Sequence, residues 1–173
     1  IARLESGDAT ARLQLKDNTG EAFIGATGDN LILANTSSIT ERLRIDSGGR
    51  TLINQTQGYS LYANGLLQVS ATDGTAAISV TRWSDNGSSP YINLGKSRGA
   101  IGAYTIVQDD DRLGQINFCG ADGSDLASPA AGIAGYVDGT PGSNDLPGRI
   151  VFFCAADGSV AETERVRIDK NGQ

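Results

Sequence analysis

Histidine and methionine are absent from this 173-residue sequence. Without an imidazole there is no Ser-His or Cys-His nucleophile system and no His-containing zinc site. The two cysteines, Cys119 and Cys154, fall short of the four thiolates of an all-cysteine zinc site. They read as free, buried thiols, with a disulfide open as the second reading. Aromatics are scarce, at one Trp, five Tyr and four Phe. Large side chains supply most core burial, at about 1.5–3 kcal/mol each. A chain so poor in them struggles to build a thick private core, and burial shared between identical chains relieves the shortage. No run of 18 apolar residues is present, so no transmembrane helix and no membrane insertion are expected. A net charge of −6 repels both nucleic acid and anionic lipid. Gly95-Lys96-Ser97 is only a fragment of a phosphate-binding loop, because Pro90 stands where the first glycine belongs. No cofactor is implied. The opening Ile1-Ala2-Arg3-Leu4 does not read as a signal peptide, and Lys170-Asn171-Gly172-Gln173 reads as an interrupted element. The chain is accordingly expected to belong to a longer polypeptide.

Glycine is abundant, at 23 residues against four prolines, which means many turns rather than a collagen-like repeat. Two internal repeats stand out. Thr40-Glu41-Arg42-Leu43-Arg44-Ile45-Asp46-Ser47-Gly48-Gly49 matches Thr163-Glu164-Arg165-Val166-Arg167-Ile168-Asp169-Lys170-Asn171-Gly172. Both copies alternate like half-buried strands and end in an Asp- and Gly-bearing turn. Leu43 and Ile45 are expected on one face, Arg42 and Arg44 on the other. Gly114-Gln115-Ile116-Asn117-Phe118 likewise matches Gly148-Arg149-Ile150-Val151-Phe152, and each copy leads into Ala-Asp-Gly-Ser.

Residues 1–70 show short strand patterns at Arg12 to Lys16, Glu21 to Gly25, Leu31 to Ala34, Arg42 to Asp46, Thr51 to Asn54 and Leu66 to Ser70. Leu31-Ile32-Leu33 is continuous and is expected to be buried on both sides, which an interwound trimer provides. Residues 71–173 carry longer patterns at Ala76 to Trp83, Tyr91 to Leu94, Ala100 to Val107, Gly114 to Cys119, Gly132 to Val137, Arg149 to Cys154 and Glu164 to Asp169. Ala127 to Ala134 is the one arguable helix, weakened by Pro129 and Gly132. The chain therefore reads as all-β, with an intertwined trimeric β-shaft over 1–70 and a β-sandwich-like knob over 71–173.

Asp109-Asp110-Asp111 is the densest acidic cluster. It reads first as a solvated turn, with a Ca²⁺ site or a glycan-hydrolysing carboxylate pair as alternatives. Neighbours on a strand point to opposite faces, which argues against a convergent pair. No catalytic and no metal-binding residue is assigned. Trp83 and Tyr91, at either end of a loop rich in Ser, Asp and Asn, together with Tyr59 and Tyr62, are the candidate receptor contacts. Their rings suit apolar sugar faces, and core packing is the alternative role. Arg42, Arg44, Arg165 and Arg167 read as partners in cross-strand or cross-chain ion pairs, with an anionic receptor site as the alternative.

The repeated Thr-Glu-Arg-Leu-Arg-Ile-Asp-Ser-Gly-Gly phrase resembles one found in bacteriophage tail fibres and tailspikes, in the region before an endosialidase-type intramolecular chaperone. Residues 109–169, with Asp110-Asp111-Arg112-Leu113-Gly114-Gln115-Ile116 and Leu146-Pro147-Gly148-Arg149-Ile150-Val151-Phe152, look like a phage structural module. The resemblance implies a homotrimer of identical chains, located in the virion tail and assembled in the host cytoplasm. Its partners would be other tail or baseplate proteins and a host surface glycan or protein. It implies a structural protein rather than an enzyme, with a glycan-depolymerising tailspike and a capsid-decorating protein as the alternatives.

Overall fold

The computed structural model of the chain describes residues 3, 5–7, 9–36 and 40–173, and among them it holds ten β-strands and no helix. Contacts divide the chain into two compact units, one of residues 1–59 with 63–79 and one of residues 60–62 with 80–173.

In the first unit, β1 (Thr10–Lys16), β2 (Glu21–Thr27), β3 (Asn30–Asn35), β4 (Thr40–Ile45), β5 (Thr51–Ile53) and β6 (Leu67–Val69) form one six-stranded sheet in sequence order. Neighbours are antiparallel except β5 and β6, which run parallel. Local chemistry sets the turns. Asp17 Oδ1 accepts the N–H groups of Thr19 (2.7 Å) and Gly20 (2.8 Å) between β1 and β2. Gly28, at φ +53°, opens the two-residue turn between β2 and β3, where the first central position needs a positive φ.

Alternation then sorts the side chains. Leu13, Ile24, Leu33, Leu43 and Ile53 sit directly opposite one another from strand to strand, so one face carries an aliphatic row across five strands. Leu13, Ile24, Leu33 and Ile53 are all exposed. The other face buries Ile32, Ala34 and Leu52, and Ile32 and Leu52 each contribute about 1.5–3 kcal/mol by full burial. Gln68 is buried there too, and its amide is satisfied. Its Oε1 accepts from Gln55 Nε2 (3.1 Å) and the Tyr59 N–H (3.0 Å), while its Nε2 donates to the Tyr59 carbonyl (3.1 Å). The expected burial of Leu31-Ile32-Leu33 on both sides is not met within one chain: Ile32 is buried, whereas Leu31 and Leu33 are exposed. The six short strands find ladder partners inside the chain, which leaves the aliphatic face and the edge strands β1 and β6 for a neighbour.

The longer repeat folds the same way twice. Register shifts between Leu33 and Ala34 opposite β4, and between Glu164 and Val166 on β10 (Glu162–Ile168). Arg42 and Arg165 are thereby the extra residues of two equivalent bulges. A regular strand points residues i and i+3 to opposite faces, and an inserted residue restores them to one face. Glu41 and Arg44 accordingly pair through two bonds (2.8 and 2.7 Å), and so do Glu164 and Arg167 (2.6 and 2.7 Å). The expected cross-strand pairs of Arg44 and Arg167 are thus pairs along one strand. Arg42 is not a member of the Arg44 face but reaches Asn35 Oδ1 (2.9 Å) and Asn54 Oδ1 (3.4 Å). Each copy closes with the same turn: Asp46 Oδ1 accepts from Gly48 and Arg50 N–H groups (both 2.9 Å), and Asp169 Oδ1 from those of Asn171 (2.8 Å) and Gln173 (3.0 Å).

In the second unit, β7 (Arg112–Cys119), β8 (Pro129–Val137), β9 (Gly148–Ala155) and β10 form an antiparallel sheet of order β10-β9-β8-β7. The shorter repeat supplies β7 and β9, the equivalent strands on either side of β8. On one face of this sheet Gly132, Ala134, Val151 and Phe153 are buried. Ile116, Ile133, Phe152 and Val166 are register partners on the opposite face, and all four are exposed. The expected strands Ala76 to Trp83, Tyr91 to Leu94 and Ala100 to Val107 are not strands here, because no backbone ladder pairs them among the described residues. A single chain therefore contributes one sheet to the knob. The arguable helix at Ala127 to Ala134 is β8 from Pro129 onward, with proline at a first strand position that tolerates it. Both cysteines are free, but Cys119 is half-buried and Cys154 exposed. Cys154 follows Phe152 on the outward face, which explains why the expected burial fails.

Candidate functional site

The four candidate contact residues all stand out from the chain. Trp83 is 92% exposed, Tyr91 68%, and Tyr59 and Tyr62 48% each. Beside Trp83, Arg82 donates from Nε to Ser84 Oγ (3.0 Å) and from Nη2 to Asn86 Oδ1 (3.3 Å), and Asn86 Oδ1 also accepts the Ser88 N–H (3.0 Å). The loop is thus held by its own polar groups while the indole is left free. Tyr59 belongs to the first unit, where Gln68 grips its backbone on both sides. Its neighbours Thr40, Glu41, Asn54, Gln55, Ser70 and Thr72 line a hollow of about 620 Å³, rich in hydroxyl and amide groups. Among the described residues no ring contact joins any two of the four aromatics.

Sequence reading missed a fifth aromatic. Tyr104 is fully exposed, as is Ile101. Both lie on a loop whose Ala103 N–H donates to the Ala100 carbonyl (2.9 Å), with Gly102 at φ +87° between them. Ser97 Oγ donates to the Ala103 carbonyl (2.7 Å) and accepts the Thr105 N–H (3.1 Å). The signal was the spacing Gly99-Ala-Ile-Gly102, which is turn punctuation inside a stretch read as a strand.

The three adjacent carboxylates diverge. Asp109 Oδ1 accepts the Gly139 N–H (2.6 Å). Asp110, at φ +65°, accepts from Arg149 Nη2 (2.6 Å). Asp111 is gripped through both oxygens by Arg98 (2.7 Å each) and takes the Gln108 N–H (2.9 Å). The Arg98 guanidinium and then that N–H hold the Asp111 carboxyl well below the usual range. Among the described residues no cluster of three acidic or cysteine side chains is arranged to hold a metal ion.

These acids belong to a clamp at one end of the second sheet. Tyr136 lies between two guanidinium groups, Arg112 at 5.3 Å and Arg149 at 4.9 Å from its ring centre, and Arg112 Nε donates to its hydroxyl (2.8 Å). Arg149 Nη1 donates to the Val137 carbonyl (3.0 Å) and Asp138 (3.2 Å). The Asp138 carboxyl is lowered first by the Lys170 N–H and also by Arg149. Every carboxyl with a resolved shift among the described residues moves downward.

No protein-family model matches the chain, and no curated protein does. Solved structures do. The chain is similar to the carboxy-terminal domain of the L-shaped tail fibre of bacteriophage T5, at 15% identity and a TM-score of 0.60, over 95% of this chain and 70% of that one. It is also similar to the same domain solved with its intramolecular chaperone domain, at 15% identity and a TM-score of 0.63, over 95% of this chain and 48% of that one. At that identity the likeness is one of fold, an all-β fold shared with a phage tail-fibre domain.

Proposed function

We propose that this chain is a segment of a bacteriophage tail fibre that assembles as a homotrimer and presents exposed aromatic residues to a glycan on the host surface. One observation carries the trimer. The chain exposes 12525 Å², whereas a compact monomer of 17.9 kDa exposes about 8000 Å², and two separate compact domains of half that mass about 9600 Å². The surplus of roughly 3000 Å² is well above the ~800 Å² per partner of a standard interface. The exposed apolar residues include the aliphatic rows of both sheets and, most of all, Ile78, Trp83, Tyr91, Ile92, Ile101 and Tyr104 of the strandless stretch 76–106, a pattern that marks an interaction surface. Identical copies are the natural occupants, because a three-fold ring lets every chain bury the same rows. The fold shared with a phage tail-fibre domain supports the tail location, with assembly in the host cytoplasm and attachment to other tail or baseplate proteins. The role in this reading is structural rather than catalytic, which the fold shared with a phage tail-fibre domain supports.

Trp83, Tyr91 and Tyr62 in the second unit and Tyr59 in its polar hollow are the receptor contacts in this reading, joined by Tyr104. Ring faces stack on apolar sugar faces, while the flanking Ser, Asn and Gln groups bond to hydroxyls. Light scattering under native conditions is expected to give three times 17.9 kDa. A monomer in dilute, non-denaturing buffer overturns the trimer. On a glycan array, the trimer is expected to bind at least one host glycan, and Trp83→Ala to lose at least tenfold in affinity without losing the trimer.

A further inference from the structure

Among the described residues, 80–97 make no backbone–backbone hydrogen bond. Their side chains nonetheless have strand character. Val80, Thr81 and Trp83, then Tyr91 and Ile92, are β-branched or aromatic residues that favour pleated, half-buried surfaces. Val80, Trp83, Tyr91, Ile92 and Leu94 are all exposed. Ile92 and Leu94, two residues apart on one side, stand with Leu113, Ile116, Ile133 and Ile150 around an apolar hollow of about 300 Å³. Leu94 rests on Gly114, where a Cβ would collide with it. The segment is therefore anchored beside β7 by side chains, while among the described residues the backbone groups of 80–83 and 91–94 take part in no ladder. Meanwhile the sheet ends in two edges, β7 and β10, which are templates for further pairing.

We infer that Val80–Trp83 and Tyr91–Leu94 become β-strands by pairing with a second copy of this chain. The inference rests on the trimer proposed above and specifies what part of the chain is exchanged. Strand addition supplies main-chain bonds to a segment whose side chains already suit a sheet. Around a three-fold axis each copy both donates these strands and receives them, so the contact closes without leaving an open end. The surplus surface per chain is large enough for both the buried rows and this exchange.

The test is amide hydrogen exchange on the trimer, combined with proline scanning. Amides of 80–83 and 91–94 are expected to be protected in the trimer to the extent of β8, and to lose that protection on dilution to monomer. Val80→Pro and Ile92→Pro remove N–H groups that bond nothing inside one chain, so they are expected to weaken trimer association at least tenfold. A wild-type trimer in which these amides exchange as fast as free peptide overturns the exchange and leaves the trimer reading standing. A wild type that is monomeric at every concentration sinks that reading itself, and the exchange with it.

Discussion

Gly132 is a residue whose side chain is decided by its neighbours. A Cβ there would lie 2.6 Å from the Ile116 carbonyl and against the Phe153 ring. Phe153 is buried and has no space to retreat, so Gly132→Ala is expected to destabilise by about 1–3 kcal/mol, seen as a lower urea midpoint. Asp111 makes a different kind of prediction. Its folded-state carboxyl is lowered, chiefly by Arg98. A depressed carboxylate contributes stability above its unfolded pKa of ~3.9, and that contribution disappears as pH falls below it. Asp111→Asn abolishes the linkage, so the melting temperatures of wild type and variant are expected to differ at pH 6 and converge towards pH 2. A gap of constant size across that range would show that Asp111 does not act through its charge.

At the scale of elements, the repeated bulge is one device in two settings. The Glu41–Arg44 pair is only 14% and 12% exposed, the Glu164–Arg167 pair 39% and 47%. Breaking a pair shielded from water strands the remaining charge, whereas an exposed pair is replaced by solvent. Glu41→Ala is therefore expected to cost about 1.5–3 kcal/mol and Glu164→Ala about 0–1 kcal/mol, compared by urea unfolding. The repeat was legible as strand plus turn, because period-two alternation and Asp–Gly chemistry are local. The bulge was not, since Glu and Arg three apart on a regular strand point away from each other. Alternation misled at residues 76–107 for a related reason: side-chain pattern reports suitability for a sheet, but a strand exists only where a second backbone lies alongside. Trp83 was legible as an aromatic beside a polar loop. The free tip carrying Ile101 and Tyr104 was not, because exposure is set by what the rest of the chain leaves uncovered.

For the whole molecule, the question is whether the row Leu13–Ile24–Leu33–Leu43–Ile53 meets water or protein. Leu33 occupies the middle strand of that row and is exposed in the single chain. If it faced water in solution, Leu33→Lys would be a surface change worth within about ±0.5 kcal/mol. If it lies against another copy, the same change places an ammonium group inside an apolar interface, where an unpaired charge is expelled. It does so in every subunit at once, since a symmetric assembly repeats each substitution. We expect Leu33→Lys to yield a monomer by light scattering while the strand signal in circular dichroism persists, because the buried face with Ile32 and Leu52 is untouched. Asn18→Lys, in the turn between β1 and β2, adds the same charge away from the row and is expected to leave the trimer intact. A trimeric Leu33→Lys would mean that this row stays wet and that the chains meet through other surfaces.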